Sequence, residues 1–189
     1  MSTTSPTAPS RATLADLAKA PGKAELIGGE VVPLMPSGLR PNLVAGRIYR
    51  SLADHADATG LGVAVTDNMG FAVPELPSGR ETFSPDVAYY DGPFSADDMR
   101  FIQGPPTFAV EVRSEGDYGP SAEHAMAGKR ADYFAAGTPL VWDVDPIANV
   151  VLAYRADAAD RPTMFARGQD ADAEPAVPGW RMAVDRIFP

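Results

Sequence analysis

Cysteine is missing from this chain of 189 residues. Disulfides and thiolate metal sites are therefore excluded, and the lack of thiols agrees with a reducing compartment. Membrane character is missing as well. No apolar run approaches the length of a bilayer span. The opening "MSTTSPTAPS" has neither the basic nor the apolar stretch of a secretory signal. It is polar and rich in Pro, Ser and Thr, the composition of a disordered tail over residues 1–10. These absences predict a cytoplasmic protein. Positive charge is also scarce. A formal net charge of −9 argues against broad, non-specific attraction to phosphate backbones. It still permits a nucleic-acid substrate if divalent cations and a few local Arg and Lys residues neutralise the site. Internal repeats and dividing linkers are absent, and the length suits one domain with its own core over residues 11–189.

What is present alternates between helix and strand grammar. "TLADLAKAPG" predicts a short helix capped by Thr13 and stopped by Pro21-Gly22. "KAELIGGEVVPLM" predicts a hairpin around Gly28-Gly29. Apolar residues at Leu43, Val44, Ile48, Leu52 and Ala56 predict a helix ending near Gly60, with Arg47, Arg50 and Asp54 off the apolar stripe. Strands follow in "GVAVTDNMGFAVPEL", "TFSPDVAYYDG" and "PPTFAVEVRS", with "GPFSADDMRFIQGP" as a loop. Beyond the next helix, "PLVWDVDP" and "NVVLAYRAD" read as strands joined at Asp145-Pro146, and the remainder as short strands and polar loop. Trp142 reads as core, and Asp143 and Asp145 as solvent-facing.

Three residues break the apolar pattern in a related way. In "TFAVEVRS" the alternation puts Phe108, Val110 and Val112 on one face, and Ala109, Glu111 and Arg113 on the other. A carboxylate in an apolar strand costs several kcal/mol unless it is paired, hydrogen-bonded or metal-bound. Asp86 repeats the theme at the start of "SPDVAYY". In the helix of "PSAEHAMAGKRADYFAAG" the inward stripe collects Ala122, Ala125, Met126, Tyr133 and Ala136, and Lys129 falls in its centre. Two strand acids can hold Mg²⁺, a hard ion that prefers oxygen. A nearby Lys can orient its water or stabilise a pentacovalent phosphate. Burial would lower the Lys129 pKa and neighbouring carboxylates would raise it. The plainer alternative is a lysine that snorkels to solvent past Ala125 and Ala136. Sugar hydrolysis by a carboxylate pair is a further option, but it leaves Lys129 without a task.

The segments "ELIGGEVV", "FSPDVAYY", "FAVEVRSEGDYGP", "GKRADYFAAGT" and "LVWDVDP", in that order, resemble the Uma-two family of the PD-(D/E)XK nuclease superfamily. The resemblance runs from Ala24 to Tyr154. It implies an α/β (α+β), restriction-endonuclease-like fold: a mixed central sheet flanked by helices, with an N-terminal β-hairpin and a C-terminal β extension. It also implies a Mg²⁺- or Mn²⁺-dependent endonuclease acting on DNA. By position, Asp86 and Glu111 match the metal-binding acids and Lys129 the catalytic lysine. The superfamily at large carries that lysine two residues after the second acid, where this chain has Arg113. An arginine there cannot act as a base but can grip phosphate; its alternative role is a salt bridge to Glu111. Glu25 and Glu30 match recurrent family acids that supplement the metal shell, or are surface residues of the hairpin. Pro41 stands where many relatives carry a His, and neither His55 nor His124 replaces it. A catalytically silent nucleic-acid-binding or assembly module of the same fold is the alternative function. A homodimer would supply the two sites needed to cut both strands of a duplex.

Overall fold

The computed structural model describes residues 11–189; the disordered tail expected over residues 1–10 lies outside them. Six strands form the central sheet. In chain order these are β3 (Val63–Thr66), β6 (Val87–Tyr90), β8 (Phe108–Val112), β9 (Leu140–Asp145), β10 (Val150–Arg155) and β11 (Thr163–Phe165), and they lie side by side in that order. All neighbours are antiparallel except β8 and β9, which are parallel. A parallel pair needs a crossover. Here it is the helix α3 (Pro120–Ala136), so the sheet is mixed and the family-type architecture expected from the sequence is present.

Period-2 alternation decides what each face receives. Phe108, Val110, Val112, Leu140, Trp142 and Val144 point to one side. There they meet Val44, Ile48, Leu52 and Ala56 of the long helix α2 (Leu39–Thr59). Each fully buried Val, Ile or Leu among them contributes about 1.5–3 kcal/mol. α2 stops at Gly60, whose left-handed φ of 66° closes the helix without the Cβ penalty. The C-terminal β12 (Asp170–Asp172), β13 (Arg181–Ala183) and helix α4 (Val184–Ile187) seal this core. Trp180 packs 5.1 Å from Trp142, ring centre to ring centre.

The opposite face carries Ala88, Ala109, Val141 and Tyr133 of α3. Around it lie the hairpin β1 (Ala24–Ile27) and β2 (Glu30–Pro33), and the small sheet of β4 (Phe71–Ala72), β5 (Thr82–Phe83) and β7 (Ile102–Gln103). The hairpin turns on Gly28 and Gly29, both at positive φ. Thr13 forms a capping box with Asp16 at the start of α1 (Leu14–Leu17). Two sequence expectations need correction. "TFSPDVAYYDG" is two strands in two sheets, because Pro85 lacks the N–H a continuous ladder would need. The expected loop "GPFSADDMRFIQGP" contains β7, which pairs parallel with β4.

Candidate active site

β6 and β8 bring the two acids together. Val87 pairs with Val110, and Asp86, one residue earlier, donates its backbone N–H to the Val110 carbonyl at 3.1 Å. Asp86 Oδ2 accepts the Val112 N–H at 2.8 Å. The Asp86 carboxylate is thereby fixed beside Glu111 and opens with it onto a cleft of about 900 Å³. A second recess, of about 600 Å³, lies on the other side of Glu111 and Lys129 and reaches Tyr118 and Asp143. The first half of α3 overhangs that recess, so Ala125 of its inward stripe is exposed while Tyr133 is fully buried.

Lys129 does not snorkel to solvent. Its Nζ lies 2.8 Å from Glu111 Oε1 and 3.4 Å from Glu25 Oε1. Burial pushes its pKa down, but these carboxylates outweigh burial and hold it above the usual lysine value. Lys129 is therefore an ammonium at neutral pH. For Glu111, burial pushes the pKa up and Asp86 adds to that; Lys129 and Tyr133 pull it down but do not cancel the rise. The Tyr133 hydroxyl donates to the same Oε1 at 2.6 Å. Its ring stacks on Phe83, with centres 4.1 Å apart. Among the described residues Glu111 Oε2 accepts no hydrogen bond from the protein.

The auxiliary residues separate sharply. Glu25 is 2% exposed and bound by Lys129, by the Ser84 N–H at 3.0 Å and by Arg80. Burial pushes its pKa up, and Lys129, Arg80 and the Ser84 N–H together take it below the usual carboxylate value. Arg80 is held in turn by Asp132 at 2.9 Å. Glu30 is exposed on β2, away from this group. Arg113 makes no pair with Glu111. Its guanidinium grips Asp143 with two bonds of 2.7 Å and Glu123 with one of 2.9 Å. Arg130 completes that cluster, binding Asp143 at 2.9 Å and Glu123 at 3.1 Å while its guanidinium lies 4.1 Å over the Tyr154 ring. Asp143, expected to face solvent, is 1% exposed, because α3 covers the strand face it occupies. Tyr118 lines the recess, and burial together with its bond to Asp145 pushes its pKa up to about 12.

Sequence reasoning also missed Lys23. Its ammonium bridges Asp86 Oδ1, at 3.1 Å, and Asp67. Lys23 and Arg80 reach the site from the hairpin and a loop far away in sequence, and no local periodicity marks them. Tyr133 was legible only as core. Its value as a signal was its place one turn beyond Lys129 on the same stripe.

Residues 12–185 match the model of the Uma2 family, described as "putative restriction endonuclease". The chain belongs to the Uma2 family. No curated protein matches it in sequence. Among solved structures, this family member is similar to "a putative nuclease belonging to DUF820" from Anabaena variabilis. That match has a TM-score of 0.71 and 16% identity, covering 93% of this chain and 97% of the other. A DrdV–DNA complex matches with a TM-score of only 0.37 and 13% identity, over 62% of this chain and 9% of that one. The chain thus shares the fold of that DUF820 structure, and Asp86, Glu111 and Lys129 line one cleft of it.

Proposed function

We propose that this protein is a divalent-metal-dependent endodeoxyribonuclease, with residues 11–189 working as one domain on DNA in the cytoplasm. One observation carries the reading: Asp86 and Glu111, from adjoining strands, open onto a single cleft beside the Lys129 ammonium. Among the described residues no group of three or more His, Asp or Glu is arranged to hold a metal. The donor set still suits a hard ion, because Asp86 and Glu111 are carboxylates that line one open cleft, although Lys23 holds Asp86 Oδ1 at 3.1 Å. A site of two carboxylates completed by water is an ordinary arrangement for Mg²⁺. Bound there, Mg²⁺ or Mn²⁺ would polarise a phosphodiester and lower the pKa of a water.

The chain's own groups divide the remaining work. Tyr133 and Lys129 fix Glu111 by one oxygen and leave the other without a protein partner among the described residues. Lys129, kept charged, cannot take a proton. It serves by orienting the attacking water and stabilising negative charge on the phosphate. Glu25, itself held by Arg80, anchors Lys129 from behind rather than supplementing a metal shell. Arg113, committed to Asp143 and Glu123, does not grip phosphate. A homodimer would bring two such sites to a duplex.

Lys23 favours a second reading, the catalytically silent module, because its ammonium already neutralises Asp86. Plasmid cleavage separates the two. The nuclease reading expects cleavage with Mg²⁺ or Mn²⁺ that EDTA abolishes and that Asp86→Asn lowers by about a hundredfold or more at an unchanged melting temperature. Cleavage indifferent to EDTA, or to Asp86→Asn, would remove the metal site. No cleavage with any divalent ion would leave the silent module.

A further inference from the structure

Eleven of the sixteen lysines and arginines are paired with carboxylates of the same chain. Among the described residues, Lys23 is bound by Asp67 and Asp86, and Arg113 and Arg130 by Asp143 and Glu123. The same holds for Arg11, Lys19, Arg80, Arg100, Lys129, Arg155, Arg161 and Arg167. The arginines with no carboxylate within 4.0 Å are Arg40, Arg47, Arg50, Arg181 and Arg186. They are not scattered. Three of them lie on α2, and Arg186 lies on α4, which packs against α2.

Helix geometry lines these residues up. Arg40 and Arg47 are about 20° apart around α2 and about 10 Å apart along it, and Arg50 lies about 60° further round and about 5 Å further on. All three sit off the buried stripe of Val44, Ile48, Leu52 and Ala56. Arg40 lines the cleft that holds Asp86 and Glu111. Arg47, Arg50 and Arg186 converge on a recess of about 310 Å³ whose other walls are Ser51, Asp54 and Met182. Asp54 is the one acid there and does not neutralise three guanidinia.

We propose that Arg40, Arg47, Arg50 and Arg186 form a track for the phosphate backbone of DNA, leading from the cleft along the outer face of α2. This rests on the nuclease reading and adds where the substrate lies. A strand rises about 3.4 Å along the duplex axis per phosphate, so the about 15 Å from Arg40 to Arg50 is long enough to meet more than one phosphate of a strand. Among the described residues Arg40 gives one hydrogen bond, of 3.2 Å to Asn149 Oδ1, and Arg47, Arg50 and Arg186 give none, so their guanidinium donors remain for phosphate, which they bind by paired hydrogen bonds. Such contacts hold the duplex in place and do not read its sequence.

The test compares two double variants of equal charge: Arg47→Gln/Arg50→Gln on the track, and Arg100→Gln/Arg161→Gln on exposed arginines elsewhere. Binding of a labelled 24-base-pair duplex is followed by anisotropy in EDTA across a salt series, with melting temperature as the check on folding. The track variant is expected to bind about tenfold or more weakly, on unrelated sequences alike. Its log–log salt slope should fall by about two, at roughly 0.9 per lost phosphate contact. In plasmid cleavage its KM should rise with kcat held. The control pair should stay near wild type. Equal weakening of both pairs would reduce the effect to net charge and overturn the track, as would two unweakened pairs. A wild-type protein that cuts DNA while the track variant behaves as the control sinks the track alone. A wild-type protein that neither binds nor cuts DNA sinks the track together with the nuclease reading.

Discussion

Glu111 and Asp143 are neighbours on parallel strands, paired in register and facing the same helix, yet their surroundings treat them in opposite ways. Asp143 is 1% exposed and both its oxygens are taken, by Arg113 twice and by Arg130 once. The Glu111 side chain keeps 23% of its exposure, and one oxygen receives both of its partners. A carboxylate closed in by guanidinia has nothing left to offer a ligand. One held by a single oxygen is fixed in place with its other oxygen available. The first arrangement fastens α3 to the sheet; the second is what chemistry at a metal or phosphate requires.

The sharpest break in the comparison is a pair of substitutions read two ways. Glu111→Gln keeps the shape and removes the charge, so cleavage should fall by about a thousandfold while urea melting stays near wild type. Asp143→Ala should do the reverse in kind. It leaves Arg113 and Arg130 with only the partly exposed Glu123 and should cost about 3 kcal/mol of stability. Residual cleavage should track the folded fraction in a urea titration. If Glu111→Gln unfolds the protein and Asp143→Ala abolishes cleavage in a fully folded one, the two roles have been assigned the wrong way round.

That contrast marks the limit of what could be read before the structure. Asp86, Glu111 and Lys129 were legible because each interrupts a local period, of two in the strands and 3.6 in the helix. Alternation also put Asp143 on the correct face of β9, opposite Trp142 and Val144. It could not say that α3 covers that face, so the residue was expected in solvent. The salt bridge expected between Arg113 and Glu111 failed for a related reason. Residues two apart on a strand stand almost 7 Å apart, whereas the adjacent strand brings Asp143 within reach of the guanidinium. Lys23 and Arg80 were illegible for want of any local signal. The hairpin and the helices α2 and α3 were legible from turn glycines and apolar stripes, but the division of "TFSPDVAYYDG" between two sheets depends on pairing partners far away in the chain.

Lys129→Met is expected to act on both sides of the comparison. Deleting the ammonium should lower cleavage by about a hundredfold, measured at saturating DNA and metal. It also leaves Glu111 and Glu25 short of a cation, so stability should fall by about 1–3 kcal/mol in a urea titration. A lysine that merely covered the surface would move neither quantity.

Tyr133→Phe should have the smallest effect and divides the comparison most finely. The ring still stacks on Phe83, so the packing of α3 is unchanged. Only the hydroxyl bond to Glu111 Oε1 is lost, a term of about 1 kcal/mol. Lys129 still holds that oxygen at 2.8 Å. If Oε1 anchors the carboxylate and Oε2 serves the cleft, cleavage should drop less than about tenfold. Metal affinity, followed by Mn²⁺ titration, should shift by no more than a few-fold. A Tyr133→Phe variant as inactive as Glu111→Gln would show that Tyr133 touches the reacting groups itself, and the division of labour between the two oxygens would fall.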